Sequence, residues 1–210
     1  ISEFEAVRHF TRLSRLNHGI DAGMYPLGSC TMKYNPRISE EIARSVQSIH
    51  PADRCAMETV LGWLMDFRDI LLEICGMDEA CLWPAAGAHG ELTGMLVIRE
   101  AVRSKGPMRS KVLVPDTAHG TNPASCAMAG FTAVNIPSGP EGYLRAGDLG
   151  EHLDEDVAAL MITNPNTLGI FEYRIREIAD LLHSVDAQVY MDGANMNALV
   201  GVARPGDFGV

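Results

Sequence analysis

Short, continuously apolar segments alternate with amphipathic ones along most of the chain, and this alternation constrains the fold more than any other feature. The apolar segments predict strands at 80–83, 111–115, 132–136, 157–163 and 187–191. Apolar runs without polar alternation are typical of strands that are buried on both faces, as in parallel sheets covered by helices. The sequence therefore predicts an α/β fold with a mostly parallel sheet and helices on both faces.

The remaining segments predict helices and one long loop. Apolar residues that recur every three or four positions predict a helix with a buried stripe over 56–76, ended by Gly76. Shorter helices are predicted over 2–16, after Pro36, and over 91–103, 121–129 and 174–184. Glycine, proline and asparagine in 17–37 predict an ordered loop. We therefore divide the chain into an N-terminal helical arm with a site loop, 1–55, and part of a large domain, 56–210.

Composition excludes several classes of function for the 210 residues. A net charge of −10 disfavours binding to nucleic acid. No apolar run reaches the roughly 18 residues of a membrane span, so we expect no membrane partner. The five cysteines form no CxxC pair and are an odd number, which fits a reducing compartment such as the cytoplasm better than a disulfide scaffold. Histidine and cysteine are scattered without paired spacing, which predicts no metal site.

Ligands of such sheets bind beyond the carboxyl ends of the strands, so the residues after each predicted strand are candidates. Ala86, Gly87 and Ala88 follow the first apolar segment and precede a helix. Backbone N–H groups and the helix dipole favour an anion such as phosphate there. The chain contains neither GxGxxG nor GxxxxGK(S/T), so the site would not be of the dinucleotide or Walker type. A glycine turn without any ligand is an equally good interpretation.

Three further polar residues follow predicted strands. His119 can stack on a flat ring, transfer a proton or serve a structural role. Asn164 can hold its own turn or donate to a ligand oxygen. Asp192 needs a cation or a set of donors, unless it caps a helix. Together with the anion site at Ala86, Gly87 and Ala88, these residues match what pyridoxal phosphate needs. The anion site would hold its phosphate, and His119 would cover its ring. Asn164 would bond its phenolic oxygen, and Asp192 would keep its pyridine nitrogen protonated.

Four motifs in order along the chain carry a resemblance to one family. They are PLGSCTMKYN at 26–35, AGAHGE at 86–91, AHGTNPAS at 118–125 and MDGAN at 191–195. Together they closely resemble glycine decarboxylase, the P-protein of the glycine cleavage system. The likeness spans nearly the whole chain and is greatest with the second subunit of the two-subunit form.

The resemblance implies a fold-type I pyridoxal-phosphate-dependent transferase fold, of which this chain holds an incomplete large domain. It implies a glycine dehydrogenase (aminomethyl-transferring, decarboxylating), in which glycine loses its carboxylate as CO₂. The aminomethyl group then passes to the lipoyl group of H-protein. The implied partners are glycine, lipoylated H-protein and the other P-protein subunit, in a heterotetramer.

Carried over by motif, the resemblance also implies roles for single residues. His119, stacked on the ring, and Asp192, paired with the pyridine nitrogen, are the implied catalytic residues. The other implied cofactor contacts are Ala86, Gly87, Ala88, Asn164 and Ala194. Ala194 would pack on the ring face opposite His119. The candidate substrate contacts are Ser29, Thr31 and Asn122. Cys30 lies in the site loop as either a reactive thiol or a small packed residue.

One feature departs from the family pattern. Lys33, Lys105 and Lys111 do not occupy the motif of the lysine that binds the cofactor covalently. We therefore expect that lysine beyond Val210, and we expect the 210-residue stretch alone to be inactive. Two alternatives stay open: another fold-type I enzyme, such as an aminotransferase or amino-acid decarboxylase, and a non-catalytic scaffold subunit.

Overall fold

The computed structural model describes residues 1–23, 34–46, 50 and 52–210. The chain divides into two compact units, Ile1–Leu61 and Gly62–Val210. No helix in the described ranges is both long enough and apolar enough to cross a membrane.

The first unit is helical. Helix α1, Glu3–Ser14, begins with a capping box, in which the Glu5 backbone N–H donates to the Ser2 hydroxyl and the Ser2 N–H donates to the Glu5 carboxylate. These reciprocal bonds satisfy N–H groups that have no partner inside the helix. Helix α2 spans Arg37–Ser45.

Helix α3, Arg54–Cys75, contains the boundary between the two units and ends as predicted. Gly76 has a φ of +67°, and its N–H donates to the carbonyl of Leu72 at 2.7 Å. The predicted buried stripe of this helix is wrong. Leu64 and Phe67 are 41% and 51% exposed, because no described residue covers this face completely.

The second unit is built on a four-stranded parallel sheet. Its strands are β1 (Lys111–Pro115), β2 (Thr132–Ile136), β3 (Val157–Thr163) and β4 (Gln188–Asp192), in the order β2-β1-β3-β4. Its helices are α4 (Gly87–Lys105), α5 (Asn122–Met128), α6 (Ala146–Gly150) and α7 (Ile175–Ser184). Two short 3₁₀ helices follow at Met196–Ala198 and Pro205–Phe208. The parallel sheet is thus confirmed.

The strand predicted at 80–83 is wrong. These residues form no strand and have no regular secondary structure, and Trp83 is 90% exposed. A short apolar run identifies a strand only when a neighbouring strand is available to pair with it. The helix predicted over 91–103 begins earlier, at Gly87.

Helices cover both faces of the sheet, as predicted. All seven residues of β3 are buried. On one face, Met161 packs in a cluster with Met95 of α4 and Cys126 of α5. On the other face, Leu160 packs with Ile178 of α7 and Leu149 of α6. A strand buried in this way accounts for the continuous apolar run in the sequence.

Candidate active site

Two of the predicted site residues, His119 and Asp192, meet at the carboxyl edge of the sheet, together with Glu91. Asp192 is the last residue of β4 and pairs in register with Thr163, the last residue of β3. His119 follows β1, the neighbour of β3. One polar atom each of His119, Asp192 and Glu91 lies within 4.8 Å of the other two. The parallel topology therefore brings together residues that are far apart in the sequence.

The Asp192 carboxylate is nearly buried, at 7% exposure, and is held by two donors. The Asn122 amide donates to Oδ2 at 2.9 Å, and the Ala194 backbone N–H donates to Oδ1 at 3.0 Å. One oxygen of Asp192 thus holds the turn after β4, whereas the helix cap considered for this residue does not form, since Asn195 is the N-cap of the next helix, Met196–Ala198. The other oxygen faces Asn122 of α5, so the carboxylate also belongs to a network between elements.

A chain of hydrogen bonds continues from Asn122 to His119. The Thr163 hydroxyl donates to Asn122 Oδ1 at 3.1 Å, and the His119 backbone N–H donates to Thr163 Oγ1 at 2.7 Å. Asn122 is fully buried, and both polar atoms of its side chain are engaged in this network. The structure therefore places the candidate substrate contact Asn122 behind Asp192, where it orients the carboxylate.

Glu91 completes the cluster and has no role among the residues predicted from the sequence. It is 4% exposed, and its Oε1 lies 3.2 Å from His119 Nδ1. The Ser125 hydroxyl donates to its Oε2 at 3.0 Å. Burial raises the pKa of Glu91, and the nearby Asp192 carboxylate raises it further, against the opposing effects of Ser125 and His119. The sequence does contain a sign of this residue, because a charged side chain stands in an otherwise apolar helical stripe. The stripe on the buried face of α4 is Glu91, Met95, Ile98 and Val102.

Asn164, the predicted amide donor, follows β3 directly. Its Oδ1 accepts the Glu172 backbone N–H at 2.9 Å. Its Nδ2 is buried and has no hydrogen-bond partner among the described residues. An unpaired buried N–H donor costs roughly 1–3 kcal/mol, so this atom suits an acceptor on a ligand. An oxygen of a bound ring would meet that need.

The predicted phosphate cradle lies at the start of α4. Ala86 is extended, and no side chain caps this helix end. A Cβ built on Gly87 would meet no described atom within 4 Å, so the backbone there is open. The exposed Ala86, Gly87 and Ala88 therefore leave the first N–H groups of the helix free for an anion. The candidate residues Ser29, Cys30 and Thr31 lie outside the described residues.

Each oxygen of the cluster already faces a proton donor. Asn122 and Ala194 donate to Asp192, while Ser125 and His119 face Glu91. Neither carboxylate forms an ion pair with a described lysine or arginine. A site with two buried carboxyl groups and one histidine therefore favours a ligand that brings positive charge and an N–H donor. A protonated pyridine nitrogen has both properties, and the orphaned Asn164 amide and the open N-terminus of α4 fit the rest of pyridoxal phosphate.

Comparison with known proteins gives relatives along the whole chain, although no protein-family model matches it. The chain is 53% identical over its full length to a Chloroherpeton thalassium protein named "Probable glycine dehydrogenase (decarboxylating) subunit 2". It is 53% identical to the protein of the same name in Bacillus licheniformis and 54% identical to the one in Thermotoga petrophila. It spans 43% to 45% of these relatives' lengths.

A solved structure supports the fold. The sphingosine-1-phosphate lyase of Burkholderia pseudomallei matches with a TM-score of 0.62 at 16% identity, over 74% of this chain and 38% of that one. The predicted fold-type I architecture is confirmed by this likeness and by the parallel sheet. The identity with the full-length relatives confirms the resemblance read from the four motifs. Over its whole length the chain is therefore similar to the corresponding part of proteins named glycine dehydrogenase (decarboxylating) subunit 2.

Proposed function

We propose that this chain provides the cofactor-binding part of a pyridoxal-phosphate-dependent glycine dehydrogenase (decarboxylating). The observation that carries the proposal is Asp192, a buried carboxylate at a strand end, held by Asn122 and Ala194 and without a lysine or arginine partner among the described residues. The names of the relatives supply the reaction.

When bound, pyridoxal phosphate supplies a protonated ring that accepts the electron pair left behind when glycine loses its carboxylate. The Asp192 carboxylate keeps the ring nitrogen protonated, because a nearby negative charge favours the charged form. Asn122 and Ala194 fix the direction of that carboxylate. His119 and Ala194 would hold the ring of the cofactor between them. Asn164 Nδ2 would donate to its phenolic oxygen, and the N-terminus of α4 would bind its phosphate.

The partners follow from the same proposal. The relatives are named as a subunit 2, so a second subunit completes the enzyme, and we propose a heterotetramer. Glycine is the substrate, and lipoylated H-protein accepts the aminomethyl group. A lysine outside these 210 residues binds the cofactor covalently. We place the enzyme in the cytoplasm, and the four described cysteines are free thiols, as a reducing compartment requires.

The test is glycine-dependent release of labelled CO₂ by the full-length protein with its partner subunit, cofactor and lipoylated carrier. Replacing Asp192 with Asn removes the buried negative charge that would pair with the ring nitrogen of the cofactor. Loss of one partner of a buried ion pair costs about 3 kcal/mol or more of binding free energy. We therefore expect cofactor affinity or turnover to fall at least about 100-fold. Asp207→Asn is the matched control, since Asp207 is exposed and pairs with Arg204 rather than with a residue of the site.

Two outcomes contradict the proposal. The first is an Asp192→Asn enzyme with the activity and cofactor affinity of the wild type. The second is transamination of an oxo acid without release of CO₂, which would favour the aminotransferase alternative. A protein with neither activity would favour the scaffold alternative.

A further inference from the structure

Glu91 is a buried charged residue of the site with no role in the proposed function. It lies on the sheet-facing side of α4, in line with the core residues Met95 and Ile98. Burying a carboxyl group is unfavourable, and a methionine or leucine at this position would extend the apolar stripe at lower cost. A role in the site is therefore needed to explain this residue.

The contacts of Glu91 point to His119. One carboxyl oxygen lies 3.2 Å from His119 Nδ1, and the other accepts the Ser125 hydroxyl at 3.0 Å. The Ser125 bond fixes the direction of the carboxyl group from helix α5. The bond from Ser125 therefore orients the carboxyl group of Glu91 toward the imidazole ring.

His119 is held at two points by two different elements. Thr163 at the end of β3 accepts the His119 backbone N–H, and Glu91 of α4 contacts ring atom Nδ1. The Thr121 backbone N–H also approaches Nδ1 as a donor, at the longer distance of 3.5 Å, and we assign a proton to Nδ1 because the Glu91 oxygen is closer. A backbone anchor alone leaves the ring free to rotate about its side-chain bonds, so the second anchor sets the plane of the ring.

We propose that Glu91 is a positioning residue, whose carboxyl oxygen accepts the Nδ1–H of His119 and fixes the imidazole plane against the cofactor site. An acceptor oxygen is present on either protonation state of the carboxyl group. With Nδ1–H engaged, Nε2 is the nitrogen that remains available to the cofactor or substrate. The link to a cofactor rests on the proposed function; the orientation of the ring does not.

The alternative roles of Glu91 make different demands on its substitutes. A residue that only fills space is replaced best by leucine, which has a similar volume. A residue that supplies negative charge cannot be replaced by glutamine. A residue that supplies an acceptor oxygen to Nδ1–H is replaced by glutamine and not by leucine.

The test compares Glu91→Gln and Glu91→Leu in the full-length protein with its partner subunit. Glu100→Leu is the matched control, because Glu100 lies on the same helix, is exposed and pairs with Arg103. Crystal structures of the cofactor-free proteins report the His119 rotamer. Equilibrium binding and the induced circular dichroism of added pyridoxal phosphate report the ring environment of the cofactor.

We expect Glu91→Gln and Glu100→Leu to keep the wild-type rotamer and the dichroism band. We expect Glu91→Leu to place His119 in another rotamer, or in several, and to bind pyridoxal phosphate about tenfold or more weakly, as the loss of one buried hydrogen bond predicts. If Glu91→Leu does not fold, Glu91→Ser, whose side chain is too short to reach the ring, takes its place with the same expectation.

An unchanged His119 rotamer in Glu91→Leu or Glu91→Ser overturns the proposal. So does a Glu91→Gln protein that behaves like the leucine variant. A wild-type protein that binds no pyridoxal phosphate overturns the proposed function instead, and the rotamer comparison still decides the role of Glu91.

Discussion

Asp192 and Glu91 are two buried carboxyl groups, and an oxygen of each lies within 4.8 Å of the other. Asn122 and Ala194 donate hydrogen bonds to the Asp192 carboxylate. Ser125 donates to one oxygen of Glu91, and His119 Nδ1 lies beside the other. Burial, with the nearby Asp192 carboxylate, raises the pKa of Glu91.

The raised pKa of Glu91 predicts how the free energy of unfolding depends on pH. Burial is the main cause of the increase from the ordinary value of 4.5. The folded state binds this proton more tightly than the unfolded state, so the contribution of Glu91 to stability is greatest below pH 4.5 and is lost as the pH rises from there through the folded pKa. Glu91→Gln removes this effect. Denaturant unfolding over a series of pH values gives the difference between the two proteins.

We expect that difference to change steadily above pH 4.5 in the cofactor-free protein. Asp154 and Asp156 also make stability depend on pH, because their pKa values are lowered from 3.8. Both residues are present in the two proteins, so their contributions cancel in the difference between them. A difference that does not vary with pH would show that Glu91 titrates normally.

Asn122 gives a second prediction at this scale. Replacing it with alanine leaves the Asp192 carboxylate without one of its two donors and the buried Thr163 hydroxyl without its acceptor. Unsatisfied buried groups cost about 1–3 kcal/mol, and we expect a loss of stability in that range. The exposed Asn135→Ala is the control, with a change within about 0.5 kcal/mol. Equal effects of the two changes in chemical denaturation would contradict the network.

Among the elements, α4 approaches the sheet closely enough to require glycine. A Cβ at Gly94 would lie 2.2 Å from Cε2 of Tyr190 on β4. Gly94→Ala therefore forces the ring or the helix to move, and overpacking of this kind costs about 1–3 kcal/mol. Gly90, one turn earlier, has no described atom within 4 Å of that position. Gly90→Ala should stabilise by up to about 1 kcal/mol through helix propensity.

Thermal or denaturant unfolding of the cofactor-free proteins compares the two substitutions. Opposite signs at Gly94 and Gly90 support the close contact between α4 and Tyr190. A neutral or stabilising Gly94→Ala would mean that α4 lies farther from β4.

The sequence predicts four strands well because each is buried within a parallel sheet, so its apolar run is continuous. It fails at 80–83, where the run is equally apolar but has no strand beside it to pair with. It also fails at Leu64 and Phe67, where helical spacing identifies an apolar face but not whether anything covers it. Pairing and coverage depend on residues distant in the chain, and local patterns do not report them.

The site shows the same limit. His119, Asn164 and Asp192 are predicted because they follow strands, and topology alone places them on one edge. Glu91 lies inside a helix, where strand ends give no information. Asn122 is identified as a site residue, but its burial behind Asp192 depends on the packing of α5, which the motif does not encode.

At the scale of the whole molecule, the 3₁₀ helix Pro205–Phe208 packs against the end of α3 within the second unit. A Cβ at Gly206 would lie 1.8 Å from the carbonyl oxygen of Gly76. Arg204 adds an ion pair to Glu73 at 3.6 Å. Residues more than a hundred positions apart thus meet in this contact.

Gly206→Ala should destabilise the folded chain by about 1–3 kcal/mol, because a backbone oxygen cannot rotate away as a side chain can. Gly147→Ala is the control, since a Cβ at Gly147 would meet no described atom within 4 Å. Hydrogen exchange at the end of α3 should accelerate in the first variant and stay unchanged in the second. Unchanged exchange in Gly206→Ala would contradict the docking.

The proposed function depends on one contact, between the Asp192 carboxylate and the ring nitrogen of pyridoxal phosphate. The most direct measurement is the ¹⁵N chemical shift of cofactor labelled at the pyridine nitrogen and bound to the full-length protein. We predict a protonated nitrogen in the wild type well above the pH at which the free cofactor loses that proton, and a nitrogen without it in Asp192→Asn. A bound nitrogen that titrates as in free cofactor, or shifts that are identical in the two proteins, would contradict this claim.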